Sequence, residues 1–195
     1  MSTTLNTPST TGRRGLAIQP FDVLDACHQQ MVVALGRLSE LVDLLQERGV
    51  DGKTQETARD IFLFFSNTAR QHHEDEEKHV FPTLLARGDD ELVQATHRLI
   101  QDHGWIEEDW LELAPQLESI AAGYTWYDLD QLIHGIPVFA ALYQDHMALE
   151  ESLIYPEAKA RIAAWDLHGM GREMSERRRS NGAVAKPERA TAKEA

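Results

Sequence analysis

One pattern occurs twice in this chain: His72-x-x-x-Glu76-x5-Pro82 in the stretch HHEDEEKHVFP and His146-x-x-x-Glu150-x5-Pro156 in HMALEESLIYP. A four-residue step on a helix turns about 400° and rises about 6 Å, so each His and its Glu project from one face. Imidazole nitrogen and carboxylate oxygen together are a donor set for transition metals. Each pair can therefore grip one side of a metal centre.

Such pairs need long helices to carry them, and the apolar periodicity supplies four. The first has Leu24, His28, Met31, Leu35, Leu38, Val42 and Leu45 on one seam and stops before Gly49. The second runs from about Thr54 to Arg87, with Ile61, Phe65, Ala69, His72, Glu76, Val80 and Leu84 on its stripe. The third carries Leu92, Thr96, Leu99, His103, Ile106, Trp110, Leu113, Leu117 and Ile120 and breaks at Gly123. The fourth, from about Asp128 to Ala164 with a bend expected at Pro137, carries Phe139, Leu142, His146, Glu150, Leu153 and Glu157. Nothing reads as a strand. The expected fold is all-α, an up-down-up-down antiparallel four-helix bundle.

Every stripe contains polar intruders: His28, His72, Glu76, His103, His146 and Glu150. Burying such groups without partners costs several kcal/mol, so a common purpose is required. In an antiparallel hairpin, residues equidistant from the turn sit side by side. His28 and His72 are equidistant from the Gly49–Gly52 turn, Glu76 and His103 from Gly88–Asp90, and His103 and His146 from Gly123–Thr125. All six meet at one level. The halves also repeat, each giving a lone His and then a His-x-x-x-Glu pair, as an ancient duplication would leave them. Four imidazoles and two carboxylates without thiolate suit iron or manganese, with zinc less well matched. If both carboxylates bridge, two six-coordinate ions with an oxo or hydroxo bridge keep open positions for a small ligand.

The composition agrees with one domain. The chain has 195 residues, 42% hydrophobic and 26% charged, with a net charge of -13. After Gly169 it holds seven Lys and Arg against four Asp and Glu, so the acidity belongs to the body and makes nucleic acid an improbable partner. Residues 1–18 are Ser/Thr-rich, with no apolar run that could serve as a secretory signal or membrane anchor, and are expected to be a disordered lead. Residues 19–169 form the domain, and 170–195, rich in Ala, Lys, Arg and Glu, are expected to be a disordered basic tail. A single cysteine, Cys27, excludes an internal disulfide and fits a reducing cytoplasm.

These residues carry a resemblance. From about Pro20 to Arg161, with its repeated His, Glu-Glu and Phe/Tyr-Pro elements, the chain resembles the hemerythrin HHE cation-binding family, four-helix bundles around a non-haem di-iron site. The resemblance implies that His28, His72, Glu76, His103, His146 and Glu150 hold two iron ions. It implies binding of dioxygen, peroxide or nitric oxide for sensing, storage or detoxification, or else an iron-responsive module or iron donor without turnover. Oxygen carriers of that family have a fifth His four residues after the third-helix His. Here that place is taken by Glu107, a candidate seventh ligand at the seam edge.

Aligning Pro82 with Pro156 selects His72 over His73, which is assigned to solvent or to the layer behind the ligands. Glu77 and Glu151 are surface charges by position, with orientation of a ligating His as their other use. His79 and His97 miss the seams, and His134 is too far along its helix. Trp105, Trp110, Trp126, Tyr127 and Tyr143 read as packing or interface aromatics, Tyr143 being placed to donate a hydrogen bond to bound oxygen.

Overall fold

The protein was studied as a computed structural model, which describes residues 19–184. Its elements are α1 (Pro20–Arg48), α2 (Gly52–Leu63), a π turn (Phe64–Ala69), α3 (Arg70–His79), α4 (Phe81–Arg87), α5 (Asp90–Ala121), α6 (Leu129–Leu149), a second π turn (Glu150–Ile154), α7 (Tyr155–Arg161) and α8 (Ala164–Val184). The chain is all-helical, with no strand among the described residues. The π turns are insertions within continuous rods, so α2 to α4 make one rod and α6 with α7 another.

The ends follow local chemistry. Pro20 opens α1 at a position where its missing N–H is no loss. Asp51 accepts from Lys53 and Thr54 backbone N–H while Thr54 answers the Asp51 N–H, a reciprocal capping box. Asp89 and Asp128 cap α5 and α6 through Leu92 and Gln131 N–H. Gly49, at φ 70°, ends α1 in a region that side chains avoid. α6 continues through Pro137 without a break.

The four rods close a ring, each packing on two neighbours. Cross-rod pairs run in opposite order: Arg37 meets Asp60 and His28 meets His72; Arg59 reaches the Ala121 carbonyl and His103 meets Glu77. The core is divided. One apolar cluster gathers Met31, Leu38, Ile61, Phe65, Trp110, Leu117, Phe139 and Tyr143. The other gathers Phe21, Leu24, Val80, Phe81, Leu99, Ile154 and Tyr155. The buried His and Glu side chains lie between them along the chain on every rod.

Two expectations are corrected. The fourth helical run stops at Arg161 rather than Ala164, and a fifth helix, α8, follows. The disordered basic tail drawn from 170 is, through Val184, helical. Met170 and Met174 are buried in the second apolar cluster, which stabilises a helix that composition alone would not. The remainder of that tail, 185–195, and the expected lead at 1–18 lie outside the described residues. No described helix is long and apolar enough to cross a membrane.

Candidate metal centre

The six intruders converge. His28, His72, Glu76 and Glu150 present ligand atoms within 4.8 Å of one another, and so do Glu76, His103, His146 and Glu150. The two glutamates belong to both groups. Glu76 turns Oε1 to His72 Nε2 at 3.3 Å and Oε2 to His103 Nε2 at 3.5 Å. Glu150 turns Oε2 to His28 Nε2 and Oε1 to His146 Nε2, both at 3.2 Å. Each carboxylate thus spans the gap between an α1/α3 pair of imidazoles and an α5/α6 pair, as a bridge between two ions must.

Behind the inward nitrogens stands an outer layer. His28 Nδ1–H donates to Glu151 at 2.9 Å and His103 Nδ1–H to Glu77 at 2.7 Å, which fixes both rings with Nε2 toward the centre. His146 Nδ1 lies 3.9 Å from Asp102, a buried carboxylate too distant for a hydrogen bond. His72 has the Cys27 thiol beside it. Glu77 and Glu151, surface charges by position, keep about half their exposure and still serve as orienting groups. The duplication is visible here, because Glu77 and Cys27 stand in the first half where Glu151 and Asp102 stand in the second.

The donor set fits a metal on a test internal to the fold. Glu76 Oε2, both Glu150 oxygens, His103 Nε2, His146 Nε2 and His73 Nε2 are buried with no hydrogen-bond partner. Native interiors leave few such atoms, each at a cost of about 1–3 kcal/mol, so a cluster of them facing one point marks the place of a ligand they share. Without that ligand they hold one another by charge. Burial opposes a charge on His146, but Glu150 and Asp102 outweigh it and push the imidazole up to about 10. Burial likewise opposes charge on His72 and His103, yet Glu76 beside both, with Glu77 on His103, raises them above the usual 6.5. Burial would raise Glu76; His72 and His103 instead hold it well below 4.5.

Residues 19–158 match the hemerythrin HHE cation binding domain. The chain belongs to that family. An uncharacterized protein of Haemophilus influenzae is 31% identical over 160 residues, which cover 82% of this chain and 90% of that one. Within the hemerythrin pattern, Glu107 is displaced from any ligand role by its geometry: it is 38% exposed and pairs outward with Arg70 at 3.1 Å.

Of the two places expected for His73, solvent or the layer behind the ligands, the structure rejects solvent. Its ring stacks on His103 at 4.1 Å and lies 5.5 Å from that of His146, with ligand nitrogens of all three within 4.8 Å. Burial and the neighbouring imidazoles His103, His72 and His146 hold its pKa well below 6.5, so it stays neutral. Tyr155 was missed altogether. Its hydroxyl donates to Glu76 Oε1 and lies 3.1 Å from His28 Nε2. The cause is the second π turn, where Tyr155 N–H bonds the Glu150 carbonyl five residues back and returns Tyr155 to the ligand face. Burial and the Glu150 and Glu76 charges raise the phenol well above 10, so it keeps its proton. Tyr143 is buried and stacks on His73; Trp110 packs in the core and donates to Ser66; Trp105 and Trp126 are exposed.

Proposed function

We propose that this chain is a hemerythrin-like di-iron protein that binds dioxygen, peroxide or nitric oxide for sensing, storage or detoxification. The observation that carries the reading is the division of Glu76 and Glu150, each offering one oxygen to either pair of imidazoles. His28 and His72 would hold one ion, His103 and His146 the other, with the glutamates shared. We read the four rods as an up-down-up-down bundle of which the centre is one layer. The donor set, nitrogen and carboxylate with its thiol set behind His72, favours iron over zinc. When bound, iron supplies one-electron redox chemistry and affinity for small diatomic ligands.

The protein's own part is preparation. Glu77 and Glu151 hold imidazole rings in register, Phe81 and Tyr155 stack on His103 and His28, and Tyr155 keeps a hydroxyl proton at Glu76 that can serve a small ligand as donor. The buried, unpaired Cys27 fits a reducing cytoplasm.

The test is to load ferrous iron anaerobically and add dioxygen, hydrogen peroxide or nitric oxide separately while recording absorbance. A saturable spectral change with at least one of them is expected; indifference to all three contradicts the reading. One observation favours the second reading, a metal-responsive module or iron donor: Asp75, the neighbour of Glu76, is tied to α8 through Arg177 and Arg178. Under that reading, removing iron frees α8 to protease without any turnover of oxidant.

A further inference from the structure

We infer that His73 is a fifth imidazole ligand, binding the ion held by His103 and His146, so that the two ions have unequal donor sets. The inference rests on the two-ion reading above. Adjacent helical residues project about 100° apart, too far to share one ion's coordination easily but suited to serving two ions side by side. His72 faces His28, at 3.1 Å between their Nε2 atoms, while His73 faces His103 and His146.

Three observations support it. The ligand nitrogens of His73, His103 and His146 lie within 4.8 Å of one another. The Nε2 atoms of all three are buried and lack any hydrogen-bond partner. A histidine kept only for packing would find a partner for that nitrogen or be replaced by a ring without one.

The third observation is the duplication. At one fixed step along the chain, His72 corresponds to His146, Glu76 to Glu150 and Glu77 to Glu151. At the same step His73 corresponds to Met147, which is buried and offers no imidazole to the His28 and His72 side. Phe81 corresponds to Tyr155, so the phenol that reaches Glu76 and His28 has a plain phenyl ring as its counterpart against His103. One ion thus has five protein donors, His73, His103, His146, Glu76 and Glu150. The other has four. His73 supplies from α3 what Glu107, turned out to Arg70, does not supply from α5.

The experiment compares the full chain with His73→Phe, which keeps the stacked ring and removes the nitrogen, and with His73→Ala. Each is titrated anaerobically with ferrous iron, passed over a desalting column and assayed for iron per chain; magnetic coupling is read after oxidation. His73→Phe should retain about one uncoupled iron. His73→Ala should regain the second iron when free imidazole is added to fill the vacated space. The loss should exceed the roughly 10–100-fold in affinity that removal of a merely orienting group produces. Two coupled irons in His73→Phe, or a loss in His73→Ala that imidazole does not restore, overturns the assignment. A wild-type chain that binds fewer than two irons overturns it together with the two-ion reading, so the two failures are distinct.

Discussion

Protons and metal ions compete for the same imidazole lone pairs, and this centre is loaded with protons when it is empty. His146, raised to about 10, together with His72 and His103 above 6.5, must lose a proton before it can ligate. Iron affinity should therefore climb with pH from 6.5 toward about 10, by about tenfold per pH unit for each proton displaced. A weakly buffered titration should acidify as iron binds; pH-independent affinity without proton release contradicts this. The outer carboxylates give a second expectation. Glu77→Ala and Glu151→Ala should each weaken iron binding by roughly 10–100-fold without abolishing it, which chelator competition can measure. The gathering of six residues in buried His and Glu clusters was legible because an ionisable group on an apolar stripe has few explanations. The inward turn of His73 was not legible, since a single apolar stripe gives one inward direction, whereas His72 and His73 reach different groups of the cluster. Glu107, at the seam edge by periodicity, has Arg70 to pair with on the outside.

At the level of elements, the π turns and α8 are where periodicity fails. A regular helix would carry Tyr155 away from Glu150, and the wider turn at Glu150–Ile154 returns it; no residue in EESLI announces that insertion. The helix α8 had a legible trace in Leu167, Met170 and Met174, at helical spacing, but so few apolar positions among charged neighbours read as tail. What holds it is specific. Asp75 is wholly buried, with Arg177 and Arg178 nitrogens each 2.8 Å from its oxygens, and Glu173 binds Lys78 and His79. The close approach is an ion-pair clasp, for the geometry misses good hydrogen-bond alignment. Replacing both Arg177 and Arg178 by Ala would strand a buried carboxylate beside Glu76. Removal of one partner of a buried pair costs about 3–5 kcal/mol, and the partial exposure of both arginines puts the expectation at the low end. Chemical denaturation of the double variant reads this directly; a change below about 1 kcal/mol contradicts the clasp.

Across the whole molecule, a polar layer interrupts what would otherwise be one apolar core, and its stability is linked to what fills that layer. In the metal-free protein, His146 favours the folded state fully below its unfolded pKa near 6.5, and that contribution is lost as pH rises through about 10. Metal-free protein should thus melt at lower temperature as the solution becomes alkaline. Iron-loaded protein should not follow it, because bound metal stabilises the folded state by mass action and binds more tightly there. Equal pH dependence of the two melting curves contradicts this. The all-helical fold was readable from sequence because its helices are long and strongly periodic, whereas the fifth helix depends on contacts with the other rods. All these expectations depend on two ions sharing Glu76 and Glu150 between opposed pairs of imidazoles. The most direct measurement is anaerobic titration of the full chain with ferrous iron, followed by oxidation and Mössbauer spectroscopy in an applied field. The proposed di-iron centre predicts an end point at about two irons per chain whose ferric spins cancel through a shared bridge; a single iron, or two that behave as isolated magnetic centres, would contradict it.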